Sequence, residues 1–266
     1  MGQLMGPVAP EYEMTPTLPD EIMTIVKRGA LKKMVKWLRK TGQVDAQRPD
    51  GNTLVHLAVI YGQPDLMREL IRWRANVDMP NNEGSTALMA ASQLGAWLQV
   101  ELLLEGSADV NMQTPAGATA LMTAAAHEKP EALSLLLKYA ALVDAQTNDG
   151  DTALMSAAAC GADECVRLLL DAGASAEVEN HVGFTALRCA QIKGHVSTQR
   201  LLLRDSTSPN PPFELAPNEV RIKTSDGQHF HVPESSLLRT SCADAAARRS
   251  MHRATGLLAR AMRECN

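Results

Sequence analysis

Residues 149–180 read DGDTALMSAAACGADECVRLLLDAGASAEVEN and contain the pattern that organises most of the chain. Their opening glycine recurs every 33 residues, and the threonine two positions later keeps the same step. Only 17 of the 266 residues are glycine, so two columns in one register are not expected by chance. Self-similarity at this period indicates stacked repeats. The columns are Gly51, Gly84, Gly117, Gly150 and Gly183, and Thr53, Thr86, Thr119, Thr152 and Thr185.

Each feature of the unit has a physical interpretation. Gly150 suits a tight turn with positive φ, where a Cβ would cost about 1–2 kcal/mol. Thr152 is predicted to cap a short alanine-rich helix that Gly161 ends. A second helix is predicted from 164 to 171, with Gly173 after its end, and the following residues form an extended finger. Because one unit cannot bury its own apolar face, it must stack on copies of itself.

The unit resembles the ankyrin repeat, whose signature is G-x-T-P-L-H-x-A-A followed by a helix rich in Val and Leu. The second unit reads Gly51-Asn-Thr-Leu-Val-His56-Leu-Ala58, and the fifth reads Gly150-Asp-Thr-Ala-Leu-Met155-Ser-Ala157. The resemblance implies an all-α solenoid of stacked helix-turn-helix units with hairpin fingers over residues 20–205. In the family the signature histidine ties a helix to the neighbouring finger. Only His56 keeps it here, so weaker ties are expected in the repeats where Met replaces it.

The register divides the chain into six repeats and their flanks. Residues 1–19 hold few core-forming side chains and are expected to be flexible. Asp20 falls in the helix-capping column, whereas Thr198 and Gln199 occupy columns that are mostly apolar elsewhere and are expected to face water. Non-glycine residues replace the helix-end or inter-helix glycine at four positions where we expect strain, namely Arg74, Ser107, Glu128 and Ala140. The predicted repeats are 20–47, 48–80, 81–113, 114–146, 147–179 and 180–205.

The first repeat is strongly basic and has two interpretations. Its charges can be a solvated outer face that keeps the end of the stack soluble, or a docking patch for an acidic partner. The basic side chains are Lys27, Arg28, Lys32, Lys33, Lys36, Arg39 and Lys40.

The 33-residue period stops after residue 205. Residues 206–217 are rich in proline and are predicted to be a linker. Apolar alternation on both sides of Asp226-Gly227 predicts a hairpin over 220–232, and residues 243–265 favour a basic helix. The string Ser225-Asp-Gly-x-x-Phe230-x-Val232-Pro233 resembles the opening strands of BTB/POZ and Skp-type domains, which link substrates to ubiquitin ligases. Residues 218–266 are fewer than such a domain needs, so a small accessory hairpin and helix is the alternative.

Composition disfavours several classes of function. The formal charge of −4 disfavours nucleic-acid binding through phosphate contacts. No apolar run approaches the ~20 residues of a membrane span, so no membrane insertion is expected. The odd number of cysteines and the lack of a C-x-x-C motif indicate reduced thiols, and therefore a cytoplasmic or nuclear protein. By itself the chain is expected to be monomeric.

The sequence contains no motif that indicates catalysis. Its seven histidines form no H-E-x-x-H, and there is no G-x-S-x-G, P-loop or G-x-G-x-x-G. His127 and Cys160 occupy the same column of adjacent repeats, which we interpret as a surface column rather than a metal or Cys–His site. We therefore expect no enzyme activity, no cofactor and no metal.

The resemblance implies where a partner protein would bind, because ankyrin partners lie across the fingers and the concave face of the first helices. Carried over by column, this surface includes residues from every repeat after the first. Exposed apolar side chains in one column would serve as anchors, and Tyr61, Leu94, Phe184 and Ile192 are expected to be exposed. The predicted contacts are Ile60, Tyr61, Gln93, Leu94, His127, Cys160, Ile192 and Lys193 on the helices, and Asn52, Ser85, Asp151 and Phe184 on the fingers.

Asn111 is a candidate for modification. It matches the finger asparagine that intracellular asparaginyl hydroxylases modify in ankyrin proteins, and the alternative is an asparagine that stabilises a turn. The sequence as a whole predicts a non-catalytic scaffold that binds proteins through the concave face of the stack. The alternative is a substrate adaptor that recruits a ubiquitin ligase through its C-terminal segment.

Overall fold

The computed structural model describes residues 17–205 and two strands at 219–223 and 229–233. Residues 17–205 contain six pairs of helices, one pair in each predicted repeat. The predictions for residues 1–16, for the linker 206–217 and for the helix 243–265 lie outside the described residues. The helices are α1 Asp20–Lys27, α2 Leu31–Thr41, α3 Leu54–Ile60, α4 Pro64–Arg72, α5 Ala87–Leu94, α6 Trp97–Glu105, α7 Ala120–Ala126, α8 Pro130–Lys138, α9 Ala153–Cys160, α10 Asp163–Asp171, α11 Ala186–Lys193 and α12 Val196–Asp205.

The helices pack in two rows. From the second repeat on, each first helix contacts the first helix of the next repeat, and the second helices do the same. The core runs through both rows, because each repeat contributes buried residues at the same positions. Successive layers of this kind are what a chain with few aromatic residues can build from Leu and Ala. One column of second helices is fully or almost fully buried, namely Leu70, Leu103, Leu136, Leu169 and Leu202.

The two sequence columns have the predicted local roles. Each column threonine accepts a hydrogen bond from the backbone N–H three residues later, at 3.3–3.4 Å, and so caps its helix. Each column glycine has a positive φ between 76° and 84°. At Gly51 a Cβ would also lie 2.4 Å from the backbone nitrogen of Asn82 in the next finger. The glycine column therefore allows both the turn and the close approach of successive fingers.

The four predicted sites of strain are confirmed. Arg74, Ser107, Glu128 and Ala140 adopt φ values of 58°, 67°, 56° and 61°, in the left-handed region that favours glycine. Each of them follows a helix end at a position where another repeat of the chain has a glycine with the same sign of φ, such as Gly173 at 86°.

Two predictions about helix starts were wrong, and so was the expectation that Thr198 faces water. Helix α1 begins at Asp20 itself, and the residue that precedes it, Pro19, forms no side-chain cap. Helix α10 begins at Asp163, one residue before the predicted start. Thr198 is fully buried instead of facing water, because its hydroxyl donates to Asp163 Oδ1 at 2.6 Å and so has a partner inside the stack. Gln199 is half-buried, and its amide donates to the carbonyl of Ala190.

The hairpin prediction is confirmed for its two strands. Strands β1 (Glu219–Lys223) and β2 (His229–Pro233) pair antiparallel, with Val220 opposite Val232 and Ile222 opposite Phe230. The turn at 224–228 lies outside the described residues. Among the helices that the structure describes, none has the length and apolar character needed to span a bilayer.

Candidate functional site

The predicted helix contacts lie at the ends of successive first helices, a set of positions we call the first-helix lane: Ile60, Tyr61, Gln93, Leu94, His127, Cys160, Ile192 and Lys193. They are the last residues of α3, α5, α9 and α11 or the residues that directly follow α3 and α7. Because these helices pack side by side, the lane runs across the stack from the second repeat to the sixth.

The lane opens into a cleft between the second and third repeats. The cleft encloses about 310 Å³ and is lined by both fingers and by the ends of α3 and α5. Pockets that bind ligands have volumes of about 300–1,000 Å³. A cleft of this size accommodates one or two side chains of a partner. Six of the predicted contact residues line it, namely Asn52, Ile60, Tyr61, Ser85, Gln93 and Leu94.

His56 lines the cleft, and its hydrogen bonds fix the position of the neighbouring finger. Its Nδ1 lies 3.0 Å from Thr53 Oγ1 and accepts from the Thr53 N–H, while its Nε2 lies 3.0 Å from the carbonyl of Ser85. These bonds assign the proton to Nε2, which donates to Ser85 in the neighbouring finger. Burial lowers the pKa of His56 below its ordinary value of 6.5, although the Ser85 carbonyl acts in the opposite direction. The tie between helix and finger that the family resemblance implied is therefore present at His56.

The apolar members of the lane differ in exposure. Leu94 and Ile192 are exposed at 36% and 38%, as expected. Tyr61 was also expected to be exposed but is half-buried, because it packs against the core and Lys27 Nζ lies 5.6 Å from its ring centroid. Leu94 is thus the exposed apolar side chain at the cleft, whereas Tyr61 also supports the joint between the first two repeats.

Two predicted finger contacts are buried, so the expectation that Phe184 is exposed was wrong. Phe184 joins the core, and its backbone N–H donates to Asn180 Oδ1 at 2.9 Å. Asp151 is 7% exposed and accepts from Asn180 Nδ2 at 2.7 Å. Burial raises the pKa of Asp151, and the Asn180 bond acts against that rise. Both residues are part of the joint between the fifth and sixth fingers.

The middle of the lane links neighbouring repeats. His127 Nδ1 donates to the Thr123 carbonyl at 2.9 Å, so its Nε2 can accept from Gln93 Nε2 at 3.3 Å. Cys160 Sγ donates to the carbonyl of Ala126 at 3.2 Å. Residues 17–203 contain no group of three or more His, Cys, Asp or Glu that could hold a metal. These polar side chains order the lane by connecting the third, fourth and fifth repeats.

Cys165, a cysteine of helix α10, has a buried thiol. Burial raises the pKa of the Cys165 thiol to about 11, and the nearby carboxylates of Glu128 and Glu164 add to the effect. The thiolate is the form of cysteine that attacks or binds a metal, so this side chain is protonated and inert at neutral pH.

Asn111 has a structural partner in the next finger. Its Oδ1 accepts from the backbone N–H of Leu142 at 2.8 Å. Asp45, Asp78 and Asp144 make the equivalent bond to the residue 31 positions later. Asn111 therefore stabilises the finger array, and its hydroxylation remains a prediction.

The sequence pattern missed several residues that line the cleft. Arg48 and Asp50 form an ion pair at 3.5 Å at the tip of the second finger, and Asn81 Nδ2 donates to Asn52 Oδ1 at 3.2 Å. Asn82 Nδ2 crosses to the carbonyl of Pro49 at 2.8 Å. The signal that could have found them is the 33-residue spacing of the finger tips, since Asn148 makes the same bond to Pro115 two repeats further along.

Comparison with known proteins agrees with the repeat geometry. Three copies of the family model for ankyrin repeats match the chain, at residues 22–114, 98–180 and 144–212. No curated protein matches the chain. Ankyrin repeats generally mediate protein–protein interaction, and the fold is typically a non-enzymatic module. The glycine turns, threonine caps, paired helices and fingers recur at a period of 33 residues. Because the family model also matches most of the chain, this chain belongs to the ankyrin-repeat family.

Proposed function

We propose that the chain is a non-catalytic scaffold that binds a partner protein across the first-helix lane, in a reducing intracellular compartment. The observation that carries the proposal is the cleft between the second and third repeats, where six predicted contact residues meet. The partner inserts an apolar side chain beside Leu94, and its backbone meets the polar fingers. Aromatic and aliphatic anchors in such pockets provide most of the energy of protein interfaces.

Rigidity supports this proposal. The His56 bond to Ser85 and the Asn81 bond to Asn52 hold both walls of the cleft in place without a partner. Gln93 bonds to His127 and therefore does not need to be ordered on binding. A surface that is already ordered loses little conformational freedom on association, which favours affinity.

Affinity capture from cell extract with the full chain as bait tests the proposal. Leu94→Glu places a charge at the mouth of the cleft and should abolish capture of the lane's partner. Leu142→Glu is the matched control, because Leu142 is 61% exposed and lies on a finger outside the lane. Both variants should melt close to the parent chain. Capture that Leu94→Glu leaves intact would contradict a role for the cleft.

A second candidate is a ubiquitin-ligase adaptor, and the antiparallel pair β1 and β2 favours it because the resemblance to BTB/POZ and Skp-type domains rests on those strands. The full chain and a chain ending at residue 205 should then differ in one respect. Only the full chain would retain cullin or other ligase subunits, while both would retain the lane's partner. Equal recovery of ligase subunits by the two chains would remove this candidate.

A further inference from the structure

The surface of helix α2 in the N-terminal repeat is basic along its whole length. Five of its eleven residues are Lys or Arg, none is acidic, and all five are exposed. Positions three and four apart share one side of a helix, so they form a continuous stripe about 12 Å long. We call Lys32, Lys33, Lys36, Arg39 and Lys40 the basic face.

This arrangement is not the one that helix stability favours. Lys32 and Lys33 lie in the first turn, at the positive end of the helix dipole, where α4, α8 and α10 carry Asp or Glu. Lys32 and Lys36, and Lys36 and Lys40, are like charges four residues apart, which repel each other. A terminal repeat needs only a polar outer surface for solubility, and mixed charges would provide it.

The basic face is also unpaired within the part of the chain that the structure describes. Elsewhere in the stack, Arg68, Arg72 and Arg167 each pair with a carboxylate three residues earlier on the same helix. Among residues 17–203, no carboxylate forms an ion pair with any member of the basic face. The face is therefore available to an anionic ligand.

We propose that the basic face binds an acidic peptide segment of a partner protein, on a surface separate from the first-helix lane. The chemistry of the surroundings selects this ligand. The large exposed apolar side chains of residues 17–203 all lie beyond residue 93, so within that range no side chain beside the face would enter a lipid bilayer. The third repeat, residues 81–113, carries four carboxylates and no Lys or Arg, and it repels a long polyanion such as nucleic acid. A short acidic segment contacts α2 and avoids that repulsion.

Fluorescence anisotropy with a labelled poly-glutamate peptide and the full chain tests this proposal. The variant is Lys32→Gln/Lys36→Gln/Lys40→Gln, and the control is Arg68→Gln/Arg72→Gln/Lys138→Gln, which removes three cations elsewhere on the stack. The α2 variant should bind the peptide about tenfold more weakly, whereas the control stays within about twofold of the parent. Affinity of the parent should fall as salt rises. The α2 variant should not melt at a lower temperature, because it removes repulsion within the helix.

Four results would overturn the proposal. The first is equal weakening by the two variants, and the second is equal binding of a poly-glutamine peptide. The third is that the α2 substitutions weaken the binding of anionic vesicles or duplex DNA more than they weaken the binding of the peptide. The fourth is self-association of the parent chain, seen by sedimentation and lost in the α2 variant, since the fifth repeat of a second copy carries seven carboxylates and one arginine.

Discussion

At the scale of single residues, four non-glycine residues adopt a backbone conformation that disfavours the folded state. Arg74, Ser107, Glu128 and Ala140 adopt positive φ although each has a Cβ, and an L residue pays about 1–2 kcal/mol for this conformation. The stack imposes the conformation because the next helix or finger must begin there. These residues therefore mark places where the chain can be stabilised without changing any contact.

Ala140→Gly should raise the free energy of unfolding by about 0.5–1 kcal/mol, because relief of the positive φ exceeds the entropy that glycine adds to the unfolded chain. Ala172→Gly is the control, since Ala172 is also exposed and follows a second helix but has φ −82°. That change should lower stability. Urea unfolding of the full chains measures both, and a loss of stability in Ala140→Gly would contradict the account.

His56 should make stability depend on pH. Its pKa in the folded state is below 6.5, so the unfolded chain binds a proton that the folded chain resists as pH falls through 6.5. The free energy of unfolding should therefore fall from pH 7 to pH 5, by at most about 1.4 kcal/mol per pH unit from this residue. His56→Gln keeps a side chain that suits the capping position but removes the titration. The variant should be less stable at pH 7 and show a flatter profile, and an unchanged slope would exclude His56 as the cause.

Asp151 should have the opposite pH dependence. Its folded-state pKa is raised by burial, so ionisation at neutral pH disfavours the folded state, and that penalty is absent once the carboxyl is protonated in both states. Asp151→Asn should therefore be more stable than the parent at pH 7, with a gain that shrinks towards pH 4. Asn52 shows that asparagine fits this column, because it accepts from Asn81 as Asp151 does from Asn180. A loss of stability at pH 7 would mean that the charge strengthens the Asn180 bond by more than its burial costs.

At the scale of elements, a side-chain ladder joins the fingers. Asp45, Asp78, Asn111 and Asp144 each accept from the backbone N–H of the residue 31 positions later, at 2.8–3.0 Å. The 33-residue period predicted that these residues share a column, but not that they bond across repeats. The bond depends on the relative placement of two fingers, which a single unit of sequence does not encode.

Removing one rung of the ladder should weaken the stack. Asn111→Ala should lower the free energy of unfolding by about 0.5–1.5 kcal/mol, because the Leu142 N–H loses its acceptor. Asn111→Asp keeps an acceptor of the type found in three other repeats, so it should stay close to the parent. Urea unfolding compares the two variants, and equal losses would show that the amide, and not the acceptor oxygen, is what the finger requires.

At the scale of the whole molecule, the 33-residue period predicted the stack of repeats, whereas the burial of individual side chains depends on their local partners. Glycine and threonine need a particular φ and a particular cap, so their columns predicted the turns and helix starts. Phe184 was misjudged because its column is polar or small in the other repeats, whereas the phenylalanine at this position packs into the core. Thr198 was misjudged because Asp163, 35 residues earlier, provides a partner inside the stack.

For the candidate site as well, the sequence predicted the column of residues but not the contacts between fingers. The resemblance predicted the column of helix ends, and the structure brings six of the predicted residues into one cleft. Arg48, Asp50 and Asn82 were missed because their place in the cleft depends on how two fingers lean together. The exposure of Leu94 could be predicted from its column, but the cover that Lys27 provides for Tyr61 could not.

The most direct test of the central claim, that the first-helix lane holds the partner, is site-specific photo-crosslinking in cells. A photoreactive side chain at Leu94 of the full chain is compared with the same group at Leu142, which is exposed but lies outside the lane. If the lane holds the partner, position 94 should give a defined covalent adduct with another protein, and position 142 should give none of that size. The same adduct from both positions, or from position 142 alone, would contradict it.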